Sequence, residues 1–302
     1  MKNFCGLVSI VGRPNVGKST LLNRLIEQKI SITSRKSQTT RNNILGIKTK
    51  DNYQMVFIDT PGVHINASKV MNKVLNQSAL GAIEDADLII FMLQRNKINT
   101  LDELILERLK GIKTKKICAI NKIDQVASIN SLLPVIEKLR SEKDFAEIIP
   151  VSAKTGKNIH ELENMICQNL PENNHLYDSD TKFLAKESFM ISEIIREKII
   201  RFLGEELPHE TYVQLQKLED KENIINIDAE IIVARESQKG IVVGKNGAKL
   251  KKIGEKARID LEKFFNKKVF LKTWVKTKKN WNNDSDFISS LGIGILYDLI
   301  MA

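Results

Sequence analysis

Apolar runs and helix-period segments alternate through the first 170 residues. Gly6–Val11, Met55–Ile58, Leu88–Leu93, Ile117–Ile120 and Ile148–Val151 are short and almost wholly apolar, which predicts buried strands. Between them, segments such as Ser19–Gln28, Asp102–Leu109 and Leu132–Arg140 carry apolar residues at helical spacing. This alternation predicts a mostly parallel, doubly wound sheet with helices on both faces. Ile44–Tyr53 reads as an edge strand that turns at Lys50-Asp51-Asn52 and pairs antiparallel with Tyr53–Asp59. After Leu170 the pattern changes. Pro171–Asp180 is polar and reads as a linker. Beyond it lie an amphipathic helix over Phe183–Leu203, strands over Thr211–Lys217 and Ile224–Val233, a helix over Ala248–Phe265 and a strand over Val269–Lys276. The expected organisation is an α/β domain over 1–170, a linker over 171–182, a smaller α+β domain over 183–280 and a tail over 281–302.

Composition narrows the class. The chain has 302 residues, 42% hydrophobic and 28% charged, enough for a sizeable core. No run of eighteen apolar residues occurs, and the start lacks the layout of a signal peptide. Cys5, Cys118 and Cys167 are far apart and odd in number, which fits reduced, buried thiols and a cytoplasmic location. The net charge is +10. Residues 235–279 hold 15 basic and only 4 acidic side chains, whereas 171–234 hold 7 basic and 14 acidic. A basic segment of that kind is either a solvated face or the footprint of a polyanion.

Gly12-Arg13-Pro14-Asn15-Val16-Gly17-Lys18-Ser19 matches G-x-x-x-x-G-K-[ST] between a predicted strand and a predicted helix. In that setting backbone N–H groups wrap a phosphate chain, Lys18 reaches the β- and γ-phosphates, Ser19 ligates Mg2+, and Thr20 follows on the helix. Asp59-Thr60-Pro61-Gly62 ends a predicted strand; its carboxylate suits Mg2+ and Gly62 suits a γ-phosphate contact, with Val63 next. Asn121-Lys122-Ile123-Asp124 ends another. Asp124 can accept two hydrogen bonds from guanine N1–H and N2, a pair that adenine lacks. Asn121 would bond N7 and tie loops together, and the Lys122 stem would pack on the base. Ser152-Ala153-Lys154 would offer a backbone N–H to guanine O6. A polar loop over Ser34–Asn42 carries Thr39 and Thr40, either of which could complete a Mg2+ shell only when a γ-phosphate is present. GTP and GDP are the expected nucleotides.

Gly244-Lys245-Asn246-Gly247 is a G-x-x-G that feeds a helix with apolar residues at Leu250, Ile253, Ala257, Leu261 and Phe264. Lys249, Lys251, Lys252, Lys256 and Lys263 fall largely off that stripe. A G-x-x-G between two helices feeding a basic helix is the KH arrangement, whose loop clamps single-stranded RNA; its order here reads as type II. Gly244–Gly247, Lys249 and Lys252 are the expected RNA contacts, and Lys272, Lys276, Lys278 and Lys279 the expected phosphate attractants. Phe264, Phe265, Phe270 and Trp274 are expected in the core.

Together these motifs resemble the Era family, bacterial GTPases with a C-terminal KH domain, in the TrmE-Era-EngA-like superfamily. Gly12–Thr20, Ser37–Arg41, Asp59–Gly62, Asn121–Asp124, Ser152–Lys154, Ser192–Lys198, Leu207–Glu210, Glu236–Gly244 and Trp274–Lys276 stand where that family has them. The linker is less similar, with only Tyr177-Asp178 matching. The resemblance implies GTP hydrolysis with Lys18, Thr40 and Gly62 at the reacting phosphate, and favours Thr40 over Thr39 as the Mg2+ ligand. It implies a monomer that binds the 3′ region of 16S rRNA, assists 30S subunit maturation and has a peripheral inner-membrane fraction, which a basic surface on anionic lipid would allow. Val63 stands where Ras-like enzymes orient water with Gln, so slow intrinsic turnover is expected, with a K+ ion near Asn15 as a candidate aid. Nothing in the sequence aims the adjacent His64 at the γ-phosphate. Two rival readings remain: a signalling GTPase whose C-terminal domain docks proteins, and a metabolic NTPase without base preference.

Overall fold

The computed structural model describes residues 2–32, 44–61, 70–141, 144–203 and 210–291. The first domain runs β1 (Phe4–Val11), α1 (Lys18–Ile26), β2 (Ile44–Lys50), β3 (Tyr53–Asp59), α2 (Val70–Glu84), β4 (Leu88–Gln94), α3 (Thr100–Leu109), β5 (Lys115–Asn121), α4 (Leu133–Ser141), β6 (Glu147–Pro150) and α5 (Ile159–Asn169). All five predicted buried strands are present. Among the described residues these five and β2 lie in the order β6-β5-β4-β1-β3-β2, parallel except that β2 runs against β3, as expected of the edge strand. Asp51 takes φ 52 in the tight turn between β2 and β3.

Parallel strands covered on both faces are apolar at nearly every position. Ile90 and Met92 of β4 pack with Leu21, Leu25, Leu162 and Ile166 of α1 and α5, whereas Ile89, Phe91 and Leu93 pack with α2, α3 and α4. The chain leaves β1 for β3 on one side and reaches β4 on the other. That reversal opens a crevice at the carboxyl ends of the strands, where ligands of such sheets bind.

The interval expected to be a linker is built into the first domain. Glu172 bridges to Phe4, Gln54 Nε2 donates to Tyr177 O at 2.7 Å, and β7 (Phe183–Leu184) pairs antiparallel with β2 as the outermost strand. The helix expected from Phe183 therefore starts later, as α6 (Glu187–Phe202), because residues 183–184 satisfy an open sheet edge. The second unit continues with β8 (Thr211–Asp220), β9 (Ile224–Val233), α7 (Glu236–Val243), α8 (Ala248–Phe265) and β10 (Lys268–Thr277). β9 is central, antiparallel to β8 and parallel to β10. The apolar run before Gly244 is thus a separate helix, α7, absent from the α-β-β-α-β order read in the sequence. Ile191, Ile195 and Ile199 of α6 and Ile253, Ala257 and Leu261 of α8 bury against one face of this sheet.

Residues 281–291, expected in a tail, are folded. Trp281 is fully buried and donates from Nε1 to Glu210 O at 3.1 Å, and α9 (Ser285–Ser290) follows. Trp281, Ile288 and Leu291 cluster with Ile232 and Ala234 of the second domain and with Met71 and Leu75 of α2. A second contact joins Lys29, just past α1, to the buried Glu197 of α6 at 2.5 Å. No described helix is long and apolar enough to cross a membrane.

Candidate nucleotide and RNA sites

The crevice is built by loops at the ends of five strands. The loop after β1 needs residues that accept positive φ: Gly12 at 154°, Asn15 at 63° and Gly17 at 110°. At Gly17 a Cβ would also lie 2.3 Å from Asn121 Nδ2, so glycine is required there by space as well as by conformation. Lys18 folds back over the loop, donating to Gly12 O at 3.0 Å and Arg13 O at 3.3 Å. It is only 7% exposed, and burial lowers its pKa to about 8, with Asp59 opposing that shift. A buried ammonium whose hydrogen bonds among the described residues go to carbonyls gains strongly from an incoming phosphate. Ser19 Oγ donates to Asp59 Oδ2 at 2.9 Å, so helix α1 and strand β3 bring the two expected Mg2+ ligands together. Ser31, which no motif singled out, donates to the same oxygen at 2.7 Å. Thr60 donates instead to Ile10 O at 2.8 Å, pinning the end of β3 to β1. Thr39, Thr40, Gly62, Val63 and His64 lie outside the described residues.

The base end is a cross-braced set of loops. Asn121 ties loops together, as expected: Nδ2 donates to Val16 O at 2.8 Å, and Oδ1 accepts from Ala153 N at 3.0 Å. Lys122, at φ 65, donates to Asn15 O at 2.7 Å and Gln94 Oε1 at 3.2 Å; burial lowers its pKa. The exposed Asp124 accepts at Oδ1 from Ser152 Oγ at 2.7 Å, which fixes the carboxylate. Ser152 thus serves as an orienting hydroxyl. Its N–H donates to Lys157 O, so it is not a donor to the base. The Arg13 side chain is held by Asp102 at 3.2 Å and Gln94 at 3.3 Å. Asp102 also completes the capping box of α3 with Asn99. Arg24, Ser31, Gln94 and Asp102 escaped the sequence reading because each is bound by residues tens of positions away. Only Gln94 left a signal, as the one polar side chain on the otherwise apolar β4.

The second site sits between α7 and α8. Gly244 takes φ 72, and a Cβ there would lie 2.9 Å from Lys249 Cβ; Asn246 and Gly247 take φ 50 and 76. Lys245, Asn246, Lys249, Lys251 and Lys252 are exposed around the N-terminus of α8, where backbone N–H groups and the helix dipole favour phosphate. Ile241, in an apolar run of the sequence, is 44% exposed beside them. Lys252 also lies 5.3 Å from the Phe202 ring. Lys278, expected as a phosphate attractant, is engaged by Asp284 at 3.1 Å and the Phe287 ring. Phe265 packs on the core as expected, but Phe270 is 57% exposed, because β10 turns its even-numbered positions away from the helices.

The three thiols are free, and burial raises the pKa of each, which disfavours the reactive thiolate.

Comparison with known proteins agrees with this geometry. The family described as 50S ribosome-binding GTPase matches residues 7–122, and the KH domain family matches residues 206–282. The GTPase Era of Haemophilus influenzae (strain PittGG) is 47% identical over 292 residues, covering 96% of this chain and 97% of that protein. The GTPase Era of Pasteurella multocida is 46% identical over 96% of this chain and 95% of its own length. The crystal structure of Era in complex with MgGDPNP and nucleotides 1506–1542 of 16S ribosomal RNA superposes with TM-score 0.94 at 36% identity, over 97% of this chain and 100% of that one. An Aquifex aeolicus Era variant bound to GDP and AlF4− gives TM-score 0.93 at 36% identity, over 98% and 100%. The phosphate-loop motif and the G-x-x-G lie in one chain that these relatives match along almost its whole length, and this protein is a member of the Era family of GTP hydrolases with a C-terminal KH domain.

Proposed function

We propose that this protein is a GTP-gated RNA-binding monomer that binds the 3′ region of 16S rRNA and assists maturation of the 30S subunit. The observation that carries this reading is where the two domains touch. α2, which begins directly after the segment holding Gly62, packs through Met71 and Leu75 on the second domain, and Lys29, shortly before Thr40, pairs with Glu197. Both segments expected to sense a γ-phosphate thus adjoin a contact with the RNA-binding unit. A related Era has been crystallised with MgGDPNP and 16S rRNA nucleotides 1506–1542. The test is binding of a labelled RNA of that region with a non-hydrolysable GTP analogue or GDP bound. Tighter binding with the analogue, lost in Gly244→Asp with Gly247→Asp, supports the reading. RNA affinity that ignores both nucleotide and loop would favour a protein-docking role.

In hydrolysis, the loop over Gly12–Ser19 wraps the phosphates and Lys18 moves from its carbonyl contacts onto the β- and γ-phosphates. Ser19 and Asp59 form an all-oxygen pair that suits a hard cation, and Thr40 would complete the set. Mg2+, when bound, neutralises charge on the β- and γ-oxygens. Thr60 and Thr20 support the loop ends, and Pro61, Gly62 and Val63 would follow the γ-phosphate. At the base, Asp124 reads N1–H and N2 while the Ala153–Lys154 backbone reads O6. Asn15 is exposed next to the phosphate loop, and its carbonyl is already held by Lys122, so its side chain can serve K+. Turnover that is equal in K+ and Na+, with Asn15→Ala silent, would remove that role. The excess of basic groups also suits a peripheral fraction on the anionic inner membrane, which flotation with anionic vesicles at rising salt would measure.

A further inference from the structure

Arg24 belongs to no nucleotide motif, yet it reaches from α1 to the loop after β6. Its Nε donates to Ala153 O at 3.2 Å, and its Nη2 donates to Lys154 O at 2.6 Å. A planar guanidinium presents its donors in a fixed fork, so two successive carbonyls can be held in one geometry. The consequence lies on the other side of the chain. In a trans peptide the C=O of one residue and the N–H of the next point in opposite directions. Holding Ala153 O toward α1 therefore aims the Lys154 N–H away from α1. The other two amides of the loop are committed, Ser152's to Lys157 O and Ala153's to Asn121 Oδ1. Among the described residues, no hydrogen bond is made by the Lys154 N–H.

We propose that Arg24 is a positioning residue for base recognition: by gripping two carbonyls it sets the 153–154 peptide so that its N–H meets the six-position oxygen of guanine. This rests on the reading that the Ser152–Lys154 loop faces the base. It assigns part of the discrimination against adenine, whose six-amino group would oppose an N–H, to a side chain that never touches the nucleotide. The neighbouring Asn23 braces a different loop. It accepts from the N–H groups of Ile30 and Ser31, both at 2.9 Å. Successive residues of α1 thereby fix the entrance to the polar 33–43 segment and the base loop.

The test compares GDP with 6-thio-GDP, whose sulfur is a weak acceptor at the same position. Calorimetry on the full chain with Mg2+ should show wild type binding GDP about fivefold more tightly, the scale of one net hydrogen bond. Arg24→Ala should weaken GDP about fivefold and leave 6-thio-GDP within about twofold, erasing the difference. KM for GTP should rise while kcat stays within about twofold, since the phosphates are untouched. Arg24→Lys, which can hold a single carbonyl, should fall between, and it provides the same readout should the alanine variant fold poorly. If wild type distinguishes the two nucleotides and the variants keep that difference, the role of Arg24 falls while the loop's reading of O6 stands. If wild type binds both equally, the reading of O6 and the role of Arg24 fall together. Equal weakening of both nucleotides by Arg24→Ala would show a merely structural brace and overturn the proposal.

Discussion

The nucleotide end and the RNA end of this molecule are built on opposite plans. Around the crevice, polar groups are spent on one another: Asn121 joins two loops, Lys122 and Gln94 join two more, and Ser152 holds Asp124. Around Gly244–Gly247 the cations stand exposed, and glycines keep the backbone bare. The difference follows from the ligands. A purine and a phosphate chain have fixed shape and are best met by donors already in place. A flexible single strand is met by long-range charge and a backbone it can approach closely. Damage to a pre-set network should therefore be local and large, and damage to a charged cradle graded and dependent on salt.

The largest expected effect is at Asp124. Asp124→Asn should weaken GTP about a thousandfold, roughly 4 kcal/mol, and raise affinity for xanthosine nucleotides, which calorimetry checks. A loss near tenfold would mean the carboxylate is not the reader. Next is Trp281→Ala, at the boundary of the two regions. Deleting a fully buried indole should cost about 3 kcal/mol, read as lowered thermal stability of the second domain and its contact with α2. A shift below about 1 kcal/mol would show that the contact is incidental. Gly244→Asp with Gly247→Asp should lower RNA affinity about a hundredfold at low salt, less as salt rises, by bringing two carboxylates and two strained Cβ atoms to the cradle. The smallest effect is pH-dependent. Burial lowers Lys18's pKa to about 8 in the free protein, and a bound phosphate raises it, so binding takes up a proton above that pH. GDP affinity should be flat below about pH 8 and fall by up to about tenfold per unit above it. A flat profile to about pH 9 would show that Lys18 is not desolvated.

The same contrast governs what was legible in the sequence. Strands such as Leu88–Leu93 and the stripe Ile253, Ala257, Leu261 follow from periodicity, because burial acts on every member of a run. The nucleotide motifs are contiguous because one loop must present several groups at once. Pairings between distant residues left no local trace. Nothing near Phe183–Leu184 announces that β2 offers an open edge, and the tail position of Trp281 gives no hint of its burial against α2. Arg24 looks like an ordinary helix-surface cation until the fold brings Ala153 and Lys154 beside it. Phe270 misled because alternation identifies two faces without saying which one is covered.

In the proposed function, purine choice is fixed by groups at the ends of β5 and β6 while the phosphates are gripped after β1. It is tested most directly by the ratio of kcat/KM for GTP and ATP with Mg2+ present, in wild type and in Asp124→Asn. The expected ratio is about a thousand or more, and it collapses in the variant. A wild-type ratio near one, or a large ratio that survives Asp124→Asn, would contradict it.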